Sequence, residues 1–536
     1  MLVCSPDNLR AINLIVVTEL DAKIREIPYG TGPRFMPEKG CLPGTRTAFL
    51  DFIVDWVNNP NSETTLVLFG QAGTGKSSIA HEIAHRFNQM HRLTSSFIFL
   101  RREQSKHEAY HLFTTLARDL SDRYPSFKVA LGKIIQDDSS LRVRTRDYPT
   151  LFESLILKPL EGLHVIGPIL VVIDALDESG DTAGRNGLHA FLAKNLSKLP
   201  PNFRVLITSR PEDSIQSAFD GVPSASIKYM NDPQLAARSD DDILTFLRDL
   251  LPSNEFDKHG VALARKSEGL FQWAAVAGGF ILNPPECFGF SKKRCIDHLL
   301  KLTADHDRQD PLDDLYKEVL DGYFTHPETR LLFVSVVGQL ITAFEPLSIC
   351  SLTTLRGYAS SDDDDADSVI MMLRRLGSLL SNVNSPDNTL PIIPLHTSFR
   401  DFLMNKQKSG DFFVVLPDAH YGLAHACLGL VLRDLRFNIC EIESSYLANK
   451  DIQGLEAHIA EHLPPALVYA CHFYGAHIGH LGFDTNLFGK LRNFFETKFL
   501  FWLEALSLTG NMHLALPVLT SLSVWLTSGQ SVSPNC

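Results

Sequence analysis

The sequence predicts an α/β domain, in which a parallel sheet has helices on both faces, followed by a long helical half. The apolar runs at residues 65–69 and 168–173 and the segment at 203–209 are predicted to be strands, and the run at 168–173 is typical of a strand buried on both faces. Charged or glycine-rich segments follow each run, as expected at the carboxyl edge of a parallel sheet. From Asp232 onward the apolar residues recur at helical spacing instead.

The length of 536 residues is too great for one hydrophobic core, so several domains are expected. The predicted domains are a lead-in at 1–61, the α/β domain at 62–230, a helical domain at 231–310, a winged-helix-like domain at 311–410 and an α-helical domain at 411–536. In the lead-in and the helical domain, Thr45 and Ser239 are predicted to cap the helices that follow them.

Composition excludes several classes of function. The net charge of -12, without any Lys/Arg cluster, argues against a nucleic-acid surface. Nine cysteines without a C-x-x-C pair indicate free thiols in a reducing compartment rather than a disulfide framework or a zinc site. Neither a signal peptide nor an uncharged apolar run of membrane-spanning length is found, so we expect a cytoplasmic protein.

The first strand leads into a phosphate-binding loop. Residues 70–77 follow the spacing G-x-x-x-x-G-K-[ST], and Ile79, Ile83 and Phe87 mark the helix after it. A chance glycine-rich turn is disfavoured, because strand, loop and helix are all present. The glycines let successive N–H groups point into one concavity, where the phosphates of a nucleotide bind. The predicted nucleotide-binding residues are Gly70, Gln71, Ala72, Gly73, Thr74, Gly75, Lys76, Ser77 and Ser78.

This motif predicts ATP or GTP as the ligand, with ADP or GDP in the resting state and Mg²⁺ beside the phosphates. Lys76 can reach the β- and γ-phosphates, and the Ser77 hydroxyl can hold Mg²⁺. No Asn-Lys-x-Asp segment that would read guanine occurs, and the base stays open.

Three acids at the end of the second strand complete a candidate metal and hydrolysis site. Asp174 is suited to hold Mg²⁺ through water. Glu178 is placed to orient or deprotonate an attacking water, and Asp177 is a second acid near the metal. The alternative is a helix N-terminus with a solvated turn. The neighbouring phosphate loop favours the metal site.

The third strand ends at Arg210, which Pro211 leaves at the carboxyl tip. A guanidinium there can detect a γ-phosphate. From position alone, a surface salt bridge remains the alternative.

Together, residues 70–77, 171–178 and 204–212 resemble a NACHT domain, one of the signal-transduction ATPases with numerous domains (STAND). The sequences of these motifs are most similar to those of fungal NACHT proteins, which usually carry WD40 or ankyrin repeats. The resemblance implies that Arg210 is the first sensor arginine. It also implies that residues 41–46, Cys-Leu-Pro-Gly-Thr-Arg, help to enclose the nucleotide base.

The helical half contains one further candidate site residue. Residues 379–383 and 390–396 are predicted to be two short strands around a turn at 385–388, which indicates a winged helix. His396 follows, and a lone histidine is usually structural. However, it heads a segment similar to the H-x-S-F-x-[DE]-[FY] segment of NACHT winged helices, which implies contact with the β-phosphate of bound ADP.

Two other segments are predicted not to carry such a role. The acidic run at 361–367 lacks the glycine and terminal glutamate of a calcium loop and is expected to be a solvated loop or a helix start. No period with WD40 or ankyrin wording occurs, so we expect neither sensor repeats nor a sizeable N-terminal effector domain in this chain.

These features predict a nucleotide-driven switch with slow hydrolysis, acting in signalling or in innate-immunity and non-self recognition. Expected partners are the nucleotide, copies of the chain and related NACHT proteins. The alternatives are a non-hydrolysing nucleotide-bound scaffold and a truncated regulator that assembles with full-length relatives. A turnover enzyme such as a motor or kinase ranks lower, because no acceptor site is visible in the sequence.

Overall fold

The computed structural model describes residues 20–30, 34–100, 109–137, 147–163, 165, 167–179, 182–285, 289, 291–302, 310–357, 366–444 and 446–530. It forms two compact units, Met1–Ala274 and Ala275–Cys536. Most of the acidic run at 361–367 lies outside the described residues.

The first unit is built on a five-stranded parallel sheet. Its strands are β1 (Thr65–Phe69), β2 (Leu93–Ile98), β3 (Ile169–Asp174), β4 (Phe203–Ser209) and β5 (Ala225–Tyr229). The three strands predicted from apolar runs are confirmed as β1, β3 and β4. The order across the sheet is β2-β3-β4-β1-β5, so β4 separates β1 from β3. Whatever follows β4 therefore lies between the phosphate loop and the acids.

Helices cover both faces of this sheet, as predicted. Leu66, Leu68 and Leu206 face one core, whereas Val67 and Phe69 face the other. The first core is completed by α1 (Thr47–Asn58) and α2 (Lys76–Gln89). The second is completed by α3 (Ala109–Arg123), α4 (Pro125–Asp137), α5 (Tyr148–Leu151, continued by the π-helical Phe152–Leu157 and by Lys158–Leu160), α6 (Thr182–Asn195) and α7 (Asp213–Phe219).

Three helices follow β5: α8 (Ser239–Leu250), α9 (Ser253–Lys266) and α10 (Phe271–Leu282). Gly269 has a left-handed φ of 81° between α9 and α10, a conformation that favours glycine and separates the two helices.

Both predicted helix caps are wrong. Helix α1 begins two residues after Thr45, whose hydroxyl donates to the Leu42 carbonyl instead. Ser239 is the first residue of α8 rather than its cap, and its Oγ accepts a hydrogen bond from Arg46 Nη1 at 2.7 Å. The Thr45 hydroxyl is thus used within its own turn, and the Ser239 hydroxyl by a distant segment.

The described part of the second unit is helical. Its helices are α11 (Lys292–Lys301), α12 (Pro311–Tyr323), α13 (Pro327–Thr342), α14 (Ile349–Arg356), α15 (Ala366–Arg375), α16 (Thr397–Leu403), α17 (Lys406–Ser409), α18 (Leu416–Asp434), α19 (Leu455–His462), α20 (Pro465–Gly479), α21 (Thr485–Thr497), α22 (Phe499–Leu508) and α23 (Ala515–Gln530). Across the described residues no single helix has the length and apolar character needed to cross a membrane. One bent pair, Lys406–Phe412 with Leu416–Asp434, meets that criterion only when its halves are combined.

The two short strands predicted at 379–383 and 390–396 are not formed. The pairing is limited to isolated antiparallel bridges, Leu380 with Pro394 and Ser348 with Pro391. Prolines cannot donate to a ladder, and Asn382 has a left-handed φ of 59°, which breaks the first segment. The winged-helix assignment therefore stays a prediction.

A buried chain of hydrogen bonds joins α18, α20 and the segment after α13. The Phe344 N–H donates to the Tyr469 hydroxyl (3.2 Å), which lies 2.9 Å from His477 Nε2. His477 Nδ1 lies 2.9 Å from His420 Nδ1, so the two rings share one proton between these atoms. Burial, with smaller contributions from His480 and Arg400, lowers the pKa of His420 to about 4. Burial also holds the pKa of His477 well below its ordinary value.

We expect these histidines to make the second unit acid-sensitive. Unfolded histidine titrates near pH 6.5, so between pH 6.5 and 4 the unfolded state binds more protons than the folded one. Lower pH therefore favours unfolding, by about 3 kcal/mol at pH 4 from His420 alone. The measurement is urea unfolding at pH 7 to 4, followed by hydrogen exchange in α20. His420→Gln should flatten the pH dependence, whereas His513→Gln, at an exposed site, should not. An equally steep dependence in both variants would contradict this assignment.

Candidate functional site

The phosphate loop has a backbone that requires glycine at three positions. It runs from β1 to α2, which confirms the strand–loop–helix context. Gly73 and Gly75 have left-handed φ values of 80° and 91°. A Cβ at Gly70 would lie 2.5 Å from Met230 Cγ, so only glycine lets the chain pass here. Among the other predicted loop residues, Gln71 and Ser77 are exposed, and Ala72 and Ser78 are half-buried.

Lys76 holds its ammonium inside the loop. Its Nζ donates to the carbonyl oxygens of Gly70 (2.7 Å) and Gln71 (2.9 Å). Desolvation lowers the pKa of Lys76 to about 8, so the group is still largely protonated at neutral pH. Phosphate oxygens are stronger acceptors than neutral carbonyls, so the ammonium is suited to transfer its hydrogen bonds to a phosphate.

The charged residues predicted from three separate motifs lie in one electrostatic field. Asp177, Asp174 and Glu178 raise the pKa of Lys76, whereas Arg210 lowers it. The sheet order accounts for this, because the ends of β1, β4 and β3 are neighbours. The structure thus brings together the loop lysine, the three acids and the arginine.

Asp174 is oriented by a residue of the neighbouring strand. It is the last residue of β3 and is 2% exposed. The Thr208 hydroxyl of β4 donates to Asp174 Oδ1 and accepts from the N–H of Ala175 at 3.1 Å. Thr208 therefore fixes the rotamer of the carboxylate predicted to face Mg²⁺ and the peptide that follows it.

Asp177 makes two contacts with Arg210. Its Oδ1 accepts the Arg210 main-chain N–H at 3.0 Å, and its Oδ2 lies 3.3 Å from Arg210 Nε. The Asp177 side chain is only 6% exposed. This ion pair therefore lies within the group of candidate site acids rather than on an open surface. The predicted role of Asp177 beside the metal stays a prediction, and the structure adds a contact that positions the arginine.

The three acids share one sharp turn. Ala175 has a left-handed φ of 57°, which is costly for a residue with a Cβ and turns the chain out of β3. A 3₁₀ turn, Leu176–Glu178, follows directly, and Glu178 is half-buried. Behind the turn, His189 Nε2 lies 3.4 Å from the Leu176 carbonyl oxygen and 3.3 Å from Ser179 Oγ.

His396 lies in the second unit and caps a helix. Its Nδ1 accepts the Ser398 N–H at 3.1 Å at the start of α16 and lies 2.7 Å from Ser398 Oγ. This is the structural role that the sequence left as the alternative. Contact with a phosphate stays a prediction.

The donor set fits a magnesium nucleotide. A glycine loop, an ammonium held on carbonyl oxygens and a guanidinium suit phosphate oxygens. A buried carboxylate and the exposed Ser77 hydroxyl at the start of α2 are hard oxygen ligands of the kind Mg²⁺ takes.

Comparison with known proteins covers the same motifs. Residues 44–210 match the family model described as Nephrocystin 3, N-terminal, a range that includes the loop, the acids and Arg210. The vegetative incompatibility protein HET-E-1 of Podospora anserina is 25% identical over 286 residues, which are 48% of this chain and 20% of that protein. These matches support a NACHT/STAND-like family. The chain spans about a fifth of the length of this curated relative.

Two solved structures are also similar to this chain. One is a STAND protein with a tetratricopeptide repeat sensor, PH0952 from Pyrococcus horikoshii, with 14% identity and a TM-score of 0.38 over 93% of this chain and 65% of that one. The other is the Aeropyrum pernix ORC1 protein in complex with DNA, with 14% identity and a TM-score of 0.26 over 69% of this chain and 94% of that one.

The side chains that support the site were not predicted from the sequence. Thr208 could have been suspected, because a Thr-Ser pair directly follows the apolar residues 205–207 at the end of the strand. The contacts of Asp177 with Arg210 depend on the position of β4 between β1 and β3 in the sheet, which no local sequence pattern indicates.

Proposed function

We propose that this chain is a nucleotide-binding switch that takes ATP or GTP with Mg²⁺ and hydrolyses it slowly, in signalling or in non-self recognition. One observation carries the proposal: Lys76, three acids and Arg210 converge at the loop between β1 and α2. The family supported by the comparisons is consistent with it. The relative from Podospora anserina supports a fungal origin, which stays a proposal.

Each side chain then has a defined task. Lys76 binds the β- and γ-phosphates, while Ser77 and, through water, Asp174 hold Mg²⁺, which supplies charge neutralisation at the phosphates. Glu178 orients the attacking water and accepts its proton. Arg210 donates to the γ-phosphate and is held for this task by Asp177.

A switch also needs a group with different affinity for its two states. We propose that His396 binds the β-phosphate in the diphosphate state and thereby stabilises that state. Exchange for a triphosphate would release this contact and allow self-association or assembly with related NACHT proteins. The alternative, a non-hydrolysing scaffold, is favoured by one observation: the His396 Nδ1 already caps α16.

A pair of variants at His396 separates these functions. His396→Asn keeps a good helix cap but removes the imidazole, whereas His396→Ala removes both. We expect both variants to release a fluorescent diphosphate roughly tenfold faster than the wild type, as for one lost charge-assisted hydrogen bond. Triphosphate release should be unchanged. Stopped-flow displacement gives the rates. If the Asn variant released diphosphate at the wild-type rate, the proposed contact of His396 with the β-phosphate would be rejected and the scaffold favoured.

A further inference from the structure

Arg46 is a buried arginine that connects three segments of the first unit. It is 4% exposed and has a left-handed φ of 55° just before α1. Its Nη2 donates to the Thr74 carbonyl oxygen in the phosphate loop (2.8 Å), and its Nη1 donates to Ser239 Oγ in α8 (2.7 Å). The guanidinium carbon lies 4.8 Å from the ring centroid of Phe271, the first residue of α10.

The main chain of Arg46 is also anchored. Its N–H donates to Asp242 Oδ2 in α8 at 3.1 Å. This contact holds the residue in its left-handed conformation and places a carboxylate near the buried cation. Arg46 is therefore fixed at its backbone and at both ends of its planar fork.

A second contact holds the adjacent loop carbonyl. The N–H of Gln272, in α10, donates to the Gly73 carbonyl oxygen at 3.2 Å. Two consecutive loop carbonyls, those of Gly73 and Thr74, are thus fixed by groups outside the loop.

These contacts determine where the loop N–H groups point. In a trans peptide the C=O and the following N–H point in opposite directions. Fixing the carbonyls of Gly73 and Thr74 therefore directs the N–H groups of Thr74 and Gly75 away from Arg46 and Gln272. Such N–H groups, turned to one side of a glycine loop, form the concavity that binds an anion.

Arg46 also lies close to the backbone of Gly75. A Cβ built on Gly75 would lie 3.8 Å from Arg46 Nε, so the loop backbone lies against the guanidinium. Within the described residues Arg46 Nε has no hydrogen-bond partner, so the two Nη hydrogen bonds and the Phe271 ring orient the group.

We propose that Arg46 is a positioning residue, which holds the peptide planes at residues 73–75 in their phosphate-binding orientation and links the loop to α8 and α10. This inference rests on the proposed nucleotide binding. It differs from the base contact that the resemblance implied for residues 41–46, since the partner here is a main-chain carbonyl of the loop.

The test compares variants of the 536-residue chain for binding of the fluorescent analogues mant-ATP and mant-GTP with Mg²⁺, using whichever the wild type binds more tightly. Arg46→Gln and Arg46→Lys should each weaken binding roughly tenfold or more, because neither side chain reproduces the planar fork that bridges Thr74 and Ser239. Arg92→Gln is the matched control. Arg92 also donates to a side chain, Asn58, and lies over a ring, Phe87, but beyond the end of α2 far from the loop. It should bind as the wild type does.

Hydrogen exchange without nucleotide provides a second measurement. Peptides covering residues 70–76 should exchange faster in both Arg46 variants and unchanged in Arg92→Gln. Wild-type exchange and a dissociation constant within twofold of the wild type, in folded Arg46 variants, would overturn the inference alone. If the wild-type chain bound neither mant-ATP nor mant-GTP and matched Lys76→Ala, the proposed function would fall, and this inference with it.

Discussion

A Lys76→Ala variant is expected to bind nucleoside triphosphate roughly 100-fold more weakly than the wild type, because it loses a charge-assisted contact to two phosphates. The Nζ that now donates to the carbonyls of Gly70 and Gln71 is the strongest donor in the loop, and no other lysine stands in the motif. Calorimetric titration with MgATP and MgGTP measures the loss. Lys158→Ala, at an exposed position, is the matched control and should bind normally.

The same lysine predicts how binding depends on pH. Desolvation lowers the pKa of Lys76 in the ligand-free site to about 8, and a bound phosphate would raise it again. Affinity should therefore fall as the pH rises above about 8, since the ammonium must first be restored. Full binding by Lys76→Ala, or flat affinity from pH 7 to 9.5, would contradict the assignment of this ammonium to the phosphates.

A Glu178→Gln variant is expected to hydrolyse nucleotide at least roughly 100-fold more slowly than the wild type, because it loses the group that accepts the proton of the attacking water. Its affinity for triphosphate should stay within about twofold of the wild type, because the amide keeps the shape of the side chain. The chain should therefore remain in the triphosphate state and shift toward larger assemblies. Single-turnover chromatography and light scattering measure the two effects.

The control for Glu178 is Glu153→Gln, an exposed carboxylate on the π-helical stretch after α5. It should leave both hydrolysis and assembly unchanged. Unaltered turnover in Glu178→Gln would remove Glu178 from the reaction. Lost binding in that variant would indicate a structural role at the turn.

The parts of the fold predicted correctly are those that local pattern determines. Strands β1, β3 and β4 are buried on both faces, and their sequences are rich in consecutive apolar residues. The loop motif required a strand before it and a helix after it. Strand β5 was missed because it pairs only with β1 and is half-exposed, with Ser226 and Lys228 in its interior. An edge strand of this composition lacks the apolar signal.

The rest depended on contacts between distant segments. Asp177 contacts Arg210, and Thr208 donates a hydrogen bond to Asp174. Both contacts require β4 to lie next to β3. Ser239 was expected to cap a helix but instead receives Arg46, 193 residues earlier in the chain. The predicted strands near Pro391 failed because two prolines remove donors from the ladder.

The most direct test of nucleotide binding at residues 70–77 is mass spectrometry of the nucleotide that acid releases from the purified chain. The sample is the wild type after incubation with Mg²⁺, ATP and GTP, with Lys76→Ala in parallel. We expect close to one nucleoside diphosphate or triphosphate per wild-type chain and almost none in the variant. The mass would also identify the base. A wild-type chain without nucleotide, or equal amounts in both proteins, would contradict nucleotide binding at residues 70–77.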